Sequence, residues 1–272
     1  MGRIVVTGAS TGIGRACVVR FAQLGHTVFA GVRKSADVEA LQAKNVVPML
    51  LDVTSPQSIA AALTAVGPEP LAGLINNAGI AVIGPLELVP VDAWRNQFEV
   101  NVLGLVAVTQ AFLPLLRQGK GRIVNVGSIA GRSALPASGP YDASKFAVEA
   151  ISDALRMELH ASGIFVSLIE PGAVATPLWR KTLENLESIK DGCAAEAYEP
   201  YARLMANVQK ETVTAAKKAV PVESVVKAVE HAMTARRPKT RYVIGPDAWL
   251  FVILNLLPDR WRDSLILGQL QK

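Results

Sequence analysis

Tyr141 and Lys145, four positions apart, are the side chains best suited to acid–base chemistry in this sequence. On a helix that spacing puts both side chains on one face. A free tyrosine has a pKa of about 10, and a nearby ammonium favours its phenolate form. Such a phenol could accept the proton of an alcohol or donate one to a developing alkoxide. Ser128, which ends a short apolar run, could hold the same oxygen.

Each of these residues also has a purely structural interpretation. Tyr141 would then be a packing residue, Lys145 a surface lysine and Ser128 a turn residue. A serine nucleophile is a poorer interpretation, because a nucleophile elbow has glycines two positions before and two after the serine. Here Gly127 lies one position before it and Gly131 three after it. The pattern therefore favours proton transfer over acyl transfer.

A glycine-rich turn lies near the start of the chain, from Thr7 to Gly14, with glycines at positions 8, 12 and 14. It follows an apolar run and precedes a helical pattern. Glycine lets the backbone turn sharply and approach a diphosphate closely, and the N-terminus of the following helix favours anions. The turn is therefore predicted to bind a dinucleotide; the alternative is a tight turn without a ligand.

The apolar pattern of the sequence predicts the fold that positions these groups. Short apolar runs alternate with helical patterns at 12–24, 55–65, 91–118 and 141–161. Continuous apolar runs are typical of parallel strands that are covered on both faces. We predict a single α/β domain over 1–272, a doubly wound parallel sheet of about seven strands with helices on both faces. The predicted strands are Ile4–Val6, Thr27–Phe29, Val46–Leu51, Gly73–Ile75, Arg122–Val126, Ile164–Ile169 and Arg241–Ile244.

Two segments depart from this alternation. Residues 177–220 form a long, partly helical and partly polar stretch after a strand, where ligands bind in such sheets. We interpret it as a substrate lid, with a surface insertion as the alternative. Residues 246–272 form an apolar tail that is too short to span a bilayer.

The glycine spacing, Gly-x-x-x-Gly-x-Gly after a threonine, resembles the cofactor turn of the short-chain dehydrogenase/reductase family. The resemblance continues along almost the whole chain and implies the family's fold and NAD(P)-dependent oxidoreduction. It implies that Ser128, Tyr141, Lys145 and Asn101 are catalytic, with Asn101 anchoring a water and Lys145 also binding the cofactor ribose. The implied cofactor contacts are Gly8, Ser10, Thr11, Gly12, Ile13, Gly14, Asp52, Val53, Asn77, Ala78, Gly79, Tyr141, Lys145, Pro171, Gly172, Val174 and Thr176.

The residues after the second strand bear on the choice of cofactor. An acidic residue there usually holds the ribose 2′-hydroxyl of NAD, whereas a 2′-phosphate needs a cation. Arg33 and Lys34 stand at this position, and no acid occurs before Asp37. We therefore predict NADP(H), with NAD(H) as the alternative because Thr11 replaces a second basic residue that many NADP-dependent relatives carry.

Composition limits the remaining functions. Half of the residues are hydrophobic and 19% are charged, a composition that disfavours a disordered chain. The net charge of +5 is weak evidence for any partner. Two cysteines indicate a reducing, cytoplasmic setting, and three scattered histidines make a metal site improbable. No motif indicates nucleic-acid binding. Leader and transmembrane segments are not expected.

Apolar lid residues favour a hydrophobic alcohol or carbonyl substrate. The stretch 51–54 and the tail resemble the hydroxysteroid and retinol dehydrogenase branch of the family. The resemblance further implies a homodimer or homotetramer paired through the long helices, while the tail could join an interface or rest on a membrane surface. The alternative function is a catalytically silent NAD(P)-binding, redox-sensing regulator.

Overall fold

The computed structural model describes residues 2–270, and these form a seven-stranded sheet in which every neighbouring pair is parallel. The strand order is β3-β2-β1-β4-β5-β6-β7. The strands are β1 Arg3–Val6, β2 Thr27–Val32, β3 Val46–Leu50, β4 Gly73–Asn76, β5 Arg122–Val126, β6 Phe165–Pro171 and β7 Arg241–Ile244. This confirms the predicted sheet, although β6 runs two residues further than expected and includes Pro171.

Helices cover both faces of the sheet. The helices are α1 Gly12–Gln23, α2 Ser35–Glu39, α3 Pro56–Val66, α4 Val91–Phe98, α5 Gly104–Gly119, α6 Gly139–Glu158, α7 Leu178–Asp191, α8 Ala195–Tyr198, α9 Ala202–Lys218, α10 Val222–Thr234, α11 Pro246–Leu254 and α12 Asp259–Leu270. The sequence pattern missed α2, which is too short to show an apolar period.

Two apolar clusters lie on opposite faces because successive strand residues alternate sides. Ile4 and Val6 pack with residues of α1 and α10, whereas Val5 packs with residues of α3 and α5. All three are fully buried. The order reverses at β1, whose neighbours are β2 and β4, so a crevice opens beyond the carboxyl ends of β1 and β4.

The predicted helix 91–118 is interrupted. A π-helical turn, Glu99–Leu103, separates α4 from α5. Among the described residues, the stretch Val91–Gly119 is the one helix long and apolar enough to cross a membrane by length and composition. Half of its most apolar window is buried, and Val108, Phe112 and Leu116 pack in the core beside the sheet. This is the burial of a core helix.

The segments predicted as lid and tail are both more regular than expected. Residues 177–220, which were predicted to be partly helical, are almost wholly helical (α7, α8 and α9). The tail forms α11 and α12; Gln271 and Lys272, which the prediction included, lie outside the described residues.

Candidate active site

The glycine-rich turn connects β1 to α1 at the crevice. Gly8 and Gly12 have φ angles of 64° and 56°, a region that favours glycine. Thr11 makes no side-chain cap at the start of α1, and no acidic residue lies in its first turn. The helix N-terminus is therefore open to an anion. Ser10 is half-buried and Thr11 exposed at the tip of the turn.

Backbone packing explains the third glycine. A Cβ atom on Gly14 would lie 2.4 Å from the Gly8 carbonyl oxygen and 2.5 Å from Asn77 Nδ2. The Asn77 amide donates to the carbonyls of Thr7 and Gly8, both at 3.0 Å. In return, Thr7 Oγ1 accepts from the backbone N–H groups of Asn77 and Ala78. The residues after β4 thus brace the turn, which forms a cradle that fits a diphosphate.

Two cations lie at the end of β2, as predicted. Arg33 and Lys34 are both exposed. The Asp52 carboxylate is held by hydrogen bonds from Thr54 N and Oγ1, at 3.0 and 2.8 Å. The Thr54 backbone bond lowers the pKa of Asp52, and the charge of Arg33 lowers it further. Arg33 and Asp52 therefore border the same end of the crevice, with Val53 buried beside them.

Three of the four predicted catalytic residues meet at one point. Lys145 Nζ donates to the Val126 carbonyl at 2.9 Å and lies 5.7 Å from the centre of the Tyr141 ring. Ser128 lies close enough to Tyr141 to lower the pKa of its phenol, and the Ser128 hydroxyl donates to the Pro171 carbonyl at 3.4 Å. The structure therefore brings together residues from the end of β5, from α6 and from the end of β6.

Burial dominates the electrostatics of this group. Burial raises the pKa of Tyr141 to about 12; the Ser128 side chain lowers it, and the Asp142 charge raises it. Burial also lowers the pKa of Lys145 to about 8. Both shifts have the same cause, because burial disfavours the charged form of each group.

Asn101 lies in the π-helical turn and is buried. Its Nδ2 donates to the Ile80 carbonyl and to Ser144 Oγ, both at 3.0 Å, and its Oδ1 accepts from Ile80 N. Gly79 lies beside it, where a Cβ atom would be 3.4 Å from Asn101 Oδ1. Ser144 is next to Lys145 on α6, so Asn101 joins the loop after β4 to the catalytic helix. π-Helical turns are frequent at functional sites.

The segment 171–177, which follows β6, contacts several parts of the site. A Cβ atom on Gly12 would lie 3.2 Å from the methyl group of Thr176. Trp179 of α7 donates from its indole nitrogen to the Val174 carbonyl at 2.7 Å. Ala173 N donates to the Asp247 carboxylate of α11 at 2.6 Å, close beside Gly172. The segment thus links the glycine-rich turn, the lid and the tail.

The segment predicted as a lid packs directly over Tyr141. Tyr141 lies against an apolar cluster from the body and from this segment, which comprises Ile83, Ala137, Leu183, Leu186, Tyr198, Tyr201, Met205 and Val208. Asn185 of α7 accepts from Ile83 N at 2.9 Å, and the Tyr201 hydroxyl donates to Glu87 at 2.6 Å. These contacts contribute to the burial that raises the pKa of Tyr141.

Asp142 is a site residue that the sequence prediction missed. It is 2% exposed, and its carboxylate accepts from Leu135 N and from the Ser138 hydroxyl, both at 2.8 Å. It therefore fastens the loop before α6, including Ala137 with a φ of 62°, to the catalytic helix. An acid beside the tyrosine was visible in the sequence, but its burial was not.

A buried ionic cluster behind Ser128 was also missed. Glu170, which is fully buried, forms a two-bond pair with Arg132 at 2.8 Å and lies 3.4 Å from Arg241. Arg241 also pairs with Glu149 and Asp153. Burial and a hydrogen bond with Glu170 raise the pKa of Glu149. The partners lie up to 92 positions apart in sequence, so spacing could not reveal them.

The family of short chain dehydrogenases matches residues 3–187 of the chain. The chain is a short-chain dehydrogenase. It is 37% identical to the NADPH-dependent 3-dehydrocapnine reductase of Ornithobacterium rhinotracheale, covering 98% of this chain and 97% of that one. It is also 37% identical to retinol dehydrogenase 5 of Mus musculus, over 97% of this chain and 87% of the relative.

Solved structures agree with this assignment. A short-chain dehydrogenase from Burkholderia cenocepacia in complex with NADP superposes with a TM-score of 0.75 at 27% identity, covering 97% and 96% of the two chains. One from Burkholderia phymatum in complex with NAD gives 0.78 at 25% identity, covering 93% and 92%. This short-chain dehydrogenase is therefore an NAD(P)-dependent oxidoreductase of the branch that resembles retinol and hydroxysteroid dehydrogenases.

Proposed function

We propose that this short-chain dehydrogenase interconverts a hydrophobic alcohol and its ketone or aldehyde, with Tyr141 as general acid and base and NADP(H) as cofactor. The observation that carries the proposal is the meeting of Tyr141, Ser128 and Lys145 under an apolar lid, beside a segment that contacts the glycine-rich turn. The turn, Arg33, Asp52 and the segment 171–177 would hold the nucleotide.

The bound nicotinamide supplies the hydride acceptor in oxidation and the hydride donor in reduction. Tyr141 accepts the alcohol proton in oxidation and donates a proton to the carbonyl oxygen in reduction. Ser128 holds that oxygen and stabilises its developing charge. Lys145, whose pKa is lowered to about 8, still carries a proton at neutral pH and stabilises the phenolate when it forms. Asn101 positions Lys145 through the neighbouring Ser144.

Three observations support NADP(H) over NAD(H). Arg33 and Lys34 lie exposed at the end of β2, where they can bind a 2′-phosphate, and a guanidinium can bind it through paired hydrogen bonds. The carboxylate of Asp52, which lies near Arg33, is held by hydrogen bonds from Thr54. The relative that reduces 3-dehydrocapnine is named as NADPH-dependent.

The lid favours an apolar substrate. The cluster over Tyr141 is built from leucine, isoleucine, methionine and tyrosine side chains, the composition of most small-molecule pockets. Two relatives are named for action on retinol and on 3-dehydrocapnine. We infer that the substrate is largely hydrocarbon, with its reacting oxygen near one end. The complete catalytic group disfavours a silent redox-sensing regulator.

We further propose a homodimer or homotetramer that acts in the cytoplasm. Three large apolar side chains on the long helical faces support subunit pairing: Leu103 is 52% exposed, Phe146 43% and Met157 64%. Exposed apolar residues on adjacent long helices are typical of subunit interfaces. Both cysteines are free, as in a reducing compartment.

The experiment that tests this function is NADPH oxidation with a panel of apolar ketones and aldehydes, alongside Tyr141→Phe. We expect turnover with at least one long-chain or ring carbonyl, and a loss of at least about a hundredfold in kcat in the variant, because general acid–base catalysis contributes about 10²–10⁴-fold. NADPH affinity, followed by fluorescence, should stay close to that of the parent protein.

Tyr242→Phe is the matched control, because its hydroxyl is buried in β7 and contacts His231. It should retain turnover. Substantial activity in Tyr141→Phe, or equal losses in both variants, would overturn the role given to Tyr141.

A further inference from the structure

The tail exposes a continuous apolar stripe on α11. Trp249 and Ile253 lie one turn apart on α11 and are 54% and 59% exposed, with Leu250 beside them. Leu256, two residues past the end of the helix, is 82% exposed. No charged residue occurs from 248 to 258. A helix that is apolar on all sides is normally buried in a protein core or a membrane. This one is covered on one face only.

The opposite face of α11 is firmly attached to the active-site end of the body. Ala248 is fully buried, and Asp247 accepts from Ala173 N. Asn255 Nδ2 donates to the Arg132 carbonyl at 2.8 Å. Both ends of α11 are therefore held next to residues that follow β6 and Ser128, so the exposed stripe is a fixed part of the surface.

The second tail helix continues the apolar surface. Trp261 and Leu265, one turn apart on α12, are 67% and 55% exposed. Arg260, Asp263, Ser264, Leu267 and Gly268 line a shallow groove on the same helix. We define the tail surface as the exposed side chains Trp249, Leu250, Ile253, Leu256, Trp261 and Leu265. Apolar patches of this kind mark interaction sites, and tryptophan is enriched where membranes meet water.

Charge is distributed unevenly around this surface. The helix α12 packs against α9, where Lys210, Lys217 and Lys218 are exposed. Together, α9, α11 and α12 contain six lysines and arginines and four acidic residues. The helices around the apolar surface therefore carry a small net positive charge, and its excess lies on α9.

We propose that the tail surface docks on an anionic lipid bilayer and inserts its apolar side chains among the acyl chains. Basic residues near an apolar face are attracted to anionic lipids. A second copy of this chain is a poorer partner. A two-fold contact places the same face against itself, so the exposed lysines of α9 would repel those of the second copy.

The consequence concerns substrate delivery and rests on the proposed function. Because α11 is joined to the segment after β6 and to the residues after Ser128, docking brings the catalytic end of the molecule to the bilayer. An apolar alcohol or carbonyl compound dissolved in the lipid would then reach the lid without crossing water.

Vesicle binding of the full chain tests the docking without any substrate, so its failure is separate from a failure of the proposed function. The protein is sedimented with vesicles of phosphatidylcholine alone, or with about one-third phosphatidylglycerol, at low and high salt. The test variant is Trp249→Ser with Ile253→Ser. The control is Val47→Ser, an exposed apolar residue on β3 at the opposite edge of the sheet.

We expect the parent protein to bind anionic vesicles, and this binding to weaken with salt. The affinity should fall at least about tenfold in the double variant. It should be unchanged in the control variant. In the parent protein, brominated lipids should quench tryptophan emission, a readout that needs no substitution. Failure to bind anionic vesicles, equal binding by the double variant, or conversion of the double variant from an oligomer to a monomer in light scattering would each overturn the proposal. The last result would assign the surface to subunit contact.

Discussion

Replacing Asp142 with asparagine would test the electrostatics of the catalytic helix. The carboxyl group is buried in the first turn of α6. Burial raises its pKa from 3.8 to about 7, although the hydrogen bonds from Leu135 and Ser138 lower it. The folded protein therefore holds a proton on Asp142 more tightly than the unfolded chain does.

The sign and size of the effect follow from this difference. Because the folded-state pKa is raised, ionisation of Asp142 destabilises the fold as pH rises from 3.8, and the cost is complete above about 7. At about 1.4 kcal/mol per pKa unit the full cost is about 4 kcal/mol. About 2 kcal/mol of it accrues between about pH 5.5 and 8.5. Asparagine carries no charge, yet it can accept from Leu135 N and donate to the Ser138 hydroxyl.

The assay is urea unfolding of Asp142→Asn and the parent protein at about pH 5.5, 7 and 8.5. We expect the free energy of unfolding of the variant, relative to that of the parent, to rise by about 2 kcal/mol from the lowest pH to the highest. Asp92→Asn is the control, because Asp92 occupies the first turn of α4 with its side chain 90% exposed. A difference between Asp142→Asn and the parent that does not change with pH, or that reverses in sign, would refute the reasoning.

Three further predictions concern the nucleotide site and the lid. Arg33→Ala should raise the KM for NADPH by about ten- to a hundredfold and leave that for NADH nearly unchanged; equal changes would contradict a 2′-phosphate contact. Gly14→Ala should abolish NADPH binding in a fluorescence titration, since its Cβ would meet the Gly8 carbonyl at 2.4 Å, whereas Gly268→Ala, with open space around it, should bind normally. Tyr201→Phe, which loses the 2.6 Å hydrogen bond to Glu87, should speed protease cleavage of the lid by up to about tenfold; an unchanged rate would show that this bond does not hold the lid closed.

Much of the fold could be predicted because its signals are local. Continuous apolar runs marked all seven strands, and the glycine-rich turn identified the first crossover. The interruption of the long helix at Glu99–Leu103 could not be predicted. A π-helical turn depends on the contacts that Asn101 makes with Ile80 and Ser144, and no propensity of the residues themselves indicates those contacts.

The sequence predicted which residues meet at the site, but not their energetics. The spacing of Tyr141 and Lys145 placed them on one face of α6, and the order of motifs added Ser128. The pKa shift of Tyr141 arises from burial, to which residues more than 40 positions further along the chain contribute. Burial of Asp142 and the pairing of Glu170 with Arg132 likewise depend on tertiary contacts.

The segment 171–177 can couple nucleotide binding to closure of the lid, because it contacts three parts of the molecule at once. It touches the glycine-rich turn through Thr176, the lid through Val174 and the tail through Ala173. Suppose that a bound nucleotide shifts the equilibrium between the open and the closed lid by a given factor. Closure of the lid then changes the affinity for the nucleotide by the same factor. A substrate that keeps the lid shut would then slow nucleotide escape. An ordered mechanism, in which the nucleotide binds first and dissociates last, would follow from this coupling through the segment.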